Sequence, residues 1–331
     1  MESPLPLSQR SSVRTRSLAL LSLAAMSALV LAGCTNAPSE SESESSPSAT
    51  TAADLCGAQV DPGSASDSVT VDGAAGTEAT ATFTSPLEVS ELQATQIDEG
   101  TGDALQSGDL VQFALSAFDA STGEKLGAQG YNDDLPPQQI SPDSVLGQVV
   151  GCAKPGSRYV AAFPESTEQG TGAQVYVIDV LGTVPTAAWG EPQPPAEGLP
   201  TVELDADGAP TVTLPGDDIP TEFEKATLKK GDGAVVEPGD SVLVQYHGVS
   251  WNTGEVFDES WGKQPFTFTV GNGVVQGFSD AVTGETVGSQ VIAVLPPSVA
   301  YGEGEINDAD LKGQTLVFVV DILAAAKTPA Q

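Results

Sequence analysis

"GDSVLVQYHGVSWNTGEVF" (239–257) and "GDLVQFALSAFDASTGEKL" (108–126) align without a gap at an offset of 131. Gly108, Asp109, Val111, Thr122, Gly123 and Glu124 match Gly239, Asp240, Val242, Thr253, Gly254 and Glu255. Apolar and polar residues alternate in both stretches, so each reads as two strands joined by a Thr-Gly turn. The match resumes downstream. "PGSRYVAAFP" (155–164) parallels "VGSQVIAVLP" (287–296), and "QVYVIDVL" (174–181) parallels "LVFVVDIL" (316–323). Between these last blocks the second unit is ten residues longer, where it carries "PSVAYGEGEINDADLKG" (297–313). The chain thus repeats one β-rich unit. Each unit has one short helix candidate, around Val145 to Gly151 and around Val275 to Val282. Sheet plus one packed helix is an α+β layout.

Working outward, the sequence predicts one copy over 57–183 and the other over 201–327. Between them, 184–200 ("VPTAAWGEPQPPAEGLP") reads as a semi-rigid, Pro-rich linker. Residues 201–240 then supply an extended arm and a strand to the second copy. The first 33 residues read as a leader. Arg10, Arg14 and Arg16 precede the apolar run Leu18 to Leu31, which is short of the ~20 residues of a membrane span. It ends in "LAGC", which resembles a bacterial lipoprotein cleavage box and makes Cys34 the lipidated residue. The Ser/Glu-rich stretch 34–56 cannot build a core and reads as a flexible tether. Lipid on Cys34 would place the protein outside the cytoplasmic membrane, anchored to it.

With Cys34 lipidated, Cys56 and Cys152 remain, either bridged or as two buried thiols. A bridge closing so long a loop contributes roughly 4–5 kcal/mol in the chain-entropy picture. The formal charge is −33, and loss of the leader removes three Arg against one Glu. Phosphate backbones require cationic partners, so nucleic acid is excluded as a partner. An anionic membrane repels such a body, which leaves anchoring to the lipid. His247 is the sole histidine. It can form neither a multi-histidine metal site nor an obvious Ser/His/Asp triad, and it points away from its neighbour Tyr246 on a strand. "GNG" (271–273) reads as a turn into the helix rather than a phosphate loop.

In the second copy, "GDSVLVQYHG", "GEVFDES", "PFTFTVGNGVVQGF", "VGSQVIAVLPPSVAYG" and "TLVFVVDIL" follow one another as in the FKBP-type peptidyl-prolyl isomerases, which residues 221–325 resemble. The resemblance implies a curved antiparallel sheet wrapped around a short helix, with an aromatic proline pocket between them. It implies catalytic positions at Tyr246, Phe257, Asp258, Tyr301 and Phe318. It implies substrate contacts at Phe266, Val274, Val275, Phe278 and Leu311, with the Val275 N–H and the Tyr301 hydroxyl donating to substrate carbonyls. No cofactor or metal is implied. Phe278 stands where many members have Trp, and Lys263 is the candidate to replace an Arg that often pairs with the acid of the "FD" pair. Trp251 reads as hairpin packing and Trp261 as rim. The implied partners are proline-containing unfolded or exported proteins, and macrolide ligands.

The offset lets the first copy be read against this pocket. Leu115 stands at Tyr246, Leu126 at Phe257, Gly127 at Asp258 and Leu146 near Phe278, while Tyr176 faces the position of Phe318. The loop holding Tyr301 has no counterpart. The sequence therefore predicts a first copy that folds like the second and catalyses nothing. The functional reading is a peptidyl-prolyl isomerase assisting the folding of exported proteins at the outer face of the membrane. The alternative is a non-catalytic FKBP-like chaperone or partner-binding lipoprotein.

Overall fold

The computed structural model describes residues 54–327 apart from 169, 217 and 307–309. The leader, Cys34 and most of the tether lie outside the described residues. Helices α1 (Leu55–Ala58) and α2 (Ser64–Asp67) come first, then a hairpin of β1 (Thr70–Asp72) and β2 (Thr80–Thr82). A six-stranded sheet follows. It holds β3 (Gln93–Asp98), β4 (Leu110–Asp119), β5 (Lys125–Gln129), β6 (Gln138–Gln139), β7 (Arg158–Phe163) and β8 (Gln174–Val184), with α3 (Val145–Val150) between β6 and β7. Next come β9 (Glu191–Pro192) and a hairpin of β10 (Thr201–Leu204) and β11 (Pro210–Thr213). The remaining strands build a seven-stranded sheet that includes β9. They are β12 (Glu224–Lys230), β13 (Ser241–Ser250), β14 (Val256–Glu259), β15 (Phe266–Thr269), β16 (Gln290–Leu295) and β17 (Leu316–Ala326), with α4 (Gln276–Val282) before β16.

The two large sheets run in the same order, β3-β7-β8-β4-β5 and β12-β16-β17-β13-β14, with β6 and β15 as extra partners of β4 and β13. Their irregularities repeat too. The bulges at Gln96/Asp98, Gln112/Phe113 and Ala117/Phe118 recur at Thr227/Lys229, Leu243/Val244 and Gly248/Val249, each at the offset of 131. Strand alternation explains the layers. On β13, Val242, Val244 and Tyr246 face α4, whose Phe278, Ala281 and Val282 complete the core with β16 and β17. Val249 and Trp251 face the other way, under Val202 and Val212 of the β10–β11 hairpin. The first half has the same three layers, with Val71 and Ala81 of the β1–β2 hairpin over Phe118, Val160 and Val177. Both hairpin turns into β5 and β14 use a glycine at positive φ, Gly123 (78°) and Gly254 (74°), a conformation that side chains resist.

Several expectations are corrected. The arm ahead of the second sheet is a hairpin whose register, Thr201↔Thr213, repeats Thr70↔Thr82 of the first half. Residues 55 and 56, expected in the tether, belong to the fold, because Leu55 is buried and Cys56 is bonded to Cys152. The 184–200 segment, expected as a semi-rigid linker, is docked along its length. Val184 still belongs to β8, β9 pairs with β12, and the Ala188 N–H donates to the buried Asp321 carboxylate at 2.7 Å. The segment is held because this buried carboxylate takes one of its two donors from Ala188, the other coming from Gln290 of β16. The two halves also meet directly, through Leu110, Leu243 and Leu323.

Candidate active site

The concave face of the second sheet and α4 enclose a cleft of ≈ 220 Å³ lined by Tyr246, Phe257, Phe266, Phe278, Tyr301 and Phe318, with Asp258, Gly273, Val274 and Val275. Nine of the ten residues expected to contact substrate are therefore brought together. Leu311 is not among the lining. It packs half-buried against the underlying core, since its loop is closed at the base by the Gly313 N–H donating to Gly302 O at 2.9 Å.

Each ring is held by its element. Tyr246 lies on the helix-facing side of β13 and meets Phe266 edge-on at 5.7 Å and Phe278 at 5.8 Å. Phe278, in the first turn of α4, meets Phe318 at 5.0 Å and an 80° angle. Phe257 meets Phe318 at 5.4 Å and 89°. Edge-to-face contacts of this kind fix ring orientation beyond simple burial. Phe257 is turned inward by the β13–β14 bulge, where Gly248 pairs with Asp258 and Val249 with Val256; a bulge re-aims the residue it leaves unpaired. The ring then lies against Gly248. A Cβ there would stand 2.7 Å from Phe257 Cζ and 3.1 Å from Phe318 Cε1, so only glycine admits it.

The polar groups are few. The Tyr246 hydroxyl donates to Asp258 Oδ2 at 2.6 Å. Burial, followed by that carboxylate, pushes the Tyr246 phenol well above its ordinary range. It stays protonated at any working pH and holds the carboxylate at the cleft edge. Lys263 does not pair with Asp258; its ammonium donates to Glu259 O at 2.9 Å. Val275 is the N-cap of α4, with extended backbone (φ −63°, ψ 149°), and its N–H has no partner among the described residues. Tyr301, 49% exposed, also lines the cleft. A carbonyl entering the cleft can accept from the Val275 N–H or the Tyr301 hydroxyl.

Sequence reasoning missed two supports. Gly248 is the first. Ser260 is the second: its Oγ accepts from the Tyr246 N–H at 2.9 Å, and its own N–H donates to Tyr246 O at 3.0 Å. The "YHG" motif carried a signal for Gly248; nothing in the pattern marked Ser260. His247, on the far face, pairs through Nδ1 with Glu259 Oε2 at 2.9 Å. Trp251 is buried under the hairpin, and Trp261 lies beside its turn at Gly208.

Comparison with known proteins converges on the same region. A sequence profile described as FKBP-type peptidyl-prolyl cis-trans isomerase matches residues 233–323. A probable FK506-binding protein of Corynebacterium glutamicum is 39% identical over 95 residues, which are 29% of this chain and 80% of that one. An FK506-binding protein of Streptomyces anulatus is 39% identical over 98 residues, 29% of this chain and 79% of its own. The peptidyl-prolyl cis-trans isomerase FPR2 of Saccharomyces cerevisiae is 37% identical over 94 residues, 27% and 70% respectively. The crystal structure of FkpA from Escherichia coli overlaps 40% of this chain and 54% of its own, at 25% identity and a TM-score of 0.30.

Proposed function

We propose a specific task for this chain, which belongs to the FKBP-type peptidyl-prolyl cis-trans isomerase family and is an isomerase of that type: it speeds the folding of exported proteins from a lipid anchor at the outer face of the cytoplasmic membrane. The observation that carries the catalytic part is the cleft of six rings closed at one edge by the Tyr246–Asp258 hydrogen bond. The anchoring part is supported by the leader and the "LAGC" box at 31–34.

The chemistry needs no nucleophile. Rotation about an X–Pro bond must break amide resonance, a barrier of ~18–20 kcal/mol, and takes tens of seconds unaided. The planar amide carries a charge separation that water stabilises. The twisted amide has lost it. A dry aromatic cleft therefore favours the twisted state over the planar one. The proline ring sits among Tyr246, Phe278 and Phe318, while Val275 N–H and the Tyr301 hydroxyl orient the flanking carbonyls. Each tenfold in rate requires about 1.4 kcal/mol of such differential binding. Asp258 acts by position, as acceptor for Tyr246, and transfers no proton. Macrolide ligands would occupy the same rings.

The test is a protease-coupled cis/trans assay on proline tetrapeptides, using the chain from Thr35 onward. Acceleration that disappears in the Tyr246→Ala, Phe257→Ala double variant is the expected result. Full activity in that variant would remove the cleft from the mechanism. Anchoring is tested by Cys34→Ala, which should release the protein from the membrane fraction.

A further inference from the structure

The first half holds its own cleft at the corresponding place, and it is far larger: ≈ 890 Å³ against ≈ 220 Å³. The causes are local. Leu115 stands where Tyr246 does. Leu126, the unpaired residue of the matching bulge, is 53% exposed and is not among the residues lining this cleft; Ala117 occupies the position of Gly248. The connection from β7 to β8 lacks the residues that carry Tyr301 over the second cleft. What remains is an open trough. Its floor is Phe113, Leu115, Leu146, Phe163 and Tyr176, with Phe163 and Tyr176 meeting edge-on at 5.1 Å. Val145, 57% exposed at the start of α3, extends the apolar wall to solvent. The mouth carries the exposed carboxylates Glu165 and Glu168, and no lysine or arginine is among the lining residues.

We propose that this trough binds extended polypeptide segments whose apolar side chains are flanked by lysine or arginine, and holds them without isomerising them. Its volume falls in the roughly 300–1,000 Å³ range of ligand sites. The carbon floor accepts apolar side chains of an unfolded segment. The two carboxylates at the mouth select the flanking charge: cations are attracted, and acidic segments, including those of this very acidic chain, are repelled. Turnover is absent because the trough has neither the Tyr–Asp pair nor a hydroxyl in the place of Tyr301. The proposal does not depend on activity in the second half.

The experiment is a fluorescence-anisotropy titration of the full chain carrying Cys34→Ser, so that no lipid surface competes. The probe is a labelled, proline-free peptide of leucine and phenylalanine with lysines at both ends; its glutamate-ended counterpart is the comparison. Saturable binding of the lysine peptide is expected, with the glutamate peptide at least about ten-fold weaker. Glu165→Lys with Glu168→Lys, both on exposed positions, should reverse that preference. Val145→Asp, also exposed, should weaken the lysine peptide, and Tyr246→Ala with Phe257→Ala should leave it unchanged. The proposal is overturned by no saturable binding, by equal binding of the two peptides, or by binding that is lost in the Tyr246/Phe257 variant and kept in the Glu165/Glu168 variant.

Discussion

Asp179 and Asp321 stand at the same place in the two sheets, and they are neutralised in opposite ways. Asp179 is buried against Arg158, with Nε to Oδ1 at 2.6 Å and Nη2 to Oδ2 at 2.7 Å, and it accepts from the Tyr131 hydroxyl at 2.8 Å. Arg158 also donates to Gly73 O and Thr77 O, which ties the β1–β2 hairpin to the sheet. In the second half Gln290 replaces Arg158. Its amide donates to Asp321 Oδ1 at 2.7 Å, and the Ala188 N–H supplies the other bond. The same buried acid thus fastens a hairpin turn in one half and the inter-half segment in the other. The backbone is repeated down to its bulges, while the side chains that make a site or a latch have diverged.

The largest expected effect breaks the first of these latches. Arg158→Gln copies the second half's glutamine into the first, where the Tyr131 hydroxyl remains as the second donor. It leaves a buried carboxylate without its cation, and removing one partner of such a pair costs about 3–5 kcal/mol. Urea denaturation should show this loss. A loss below about 1 kcal/mol would mean that the ion pair contributes little beyond what a neutral hydrogen bond does.

The second prediction breaks the difference between the clefts. Gly248→Ala copies the first half's Ala117 and drives Phe257 from its place against the strand. The sheet should persist, because alanine in a strand interior weakens it less than the glycine it replaces. The specificity constant for proline peptides should fall by about 10–100-fold, as misplacement of this order does elsewhere. Unchanged turnover would show that Phe257 is not needed inside the cleft.

How much of this was legible in the sequence follows from the same residues. The offset of 131 could be read from Gly108–Glu124 because turn glycines and alternation survive divergence. The pocket rings were legible because their motifs keep a fixed order. The extension of the repeat to the hairpins at 70–82 and 201–213 was not, since short strands of Thr, Val and Ala resemble any loop. The docking of 184–200 was hidden for a different reason: its prolines signal an extended chain, and what fixes it is a buried carboxylate far away in sequence. Leu311 lies outside the lining of the cleft, in a loop whose closure between Gly302 and Gly313 rests on a hydrogen bond that no pattern encodes.

A third prediction sharpens the comparison of the acids. Burial raises the Asp321 carboxyl above its ordinary value despite the bonds from Ala188 and Gln290. The folded state therefore holds this proton more tightly than the unfolded one. Stability from this group is greatest below the ordinary carboxylate range and declines as pH rises through the raised folded value, then levels off. The slope can reach at most about 1.4 kcal/mol per pH unit. Asp321→Asn removes it, so the variant should gain relative to the parent as pH increases through that window. Urea midpoints between acid and neutral pH measure the gap; a gap independent of pH would mean that Asp321 does not titrate with folding.

The smallest effect separates position from proton transfer at the site itself. Tyr246→Phe keeps the ring and its contacts with Phe266 and Phe278 and removes only the bond to Asp258. A bond to a charged acceptor is worth roughly 1.5–3 kcal/mol when buried, and less at this exposed edge. Turnover should fall several-fold, about 1 kcal/mol in barrier, as Asp258 loses its tether. Because burial keeps the phenol protonated throughout the assay range, the parent's rate should be flat from mildly acid to mildly alkaline pH, and the variant's profile should be equally flat. A rate that rises or falls with a single titration in the parent, and loses that titration in Tyr246→Phe, would make the pair an acid–base device and reverse the mechanism given above.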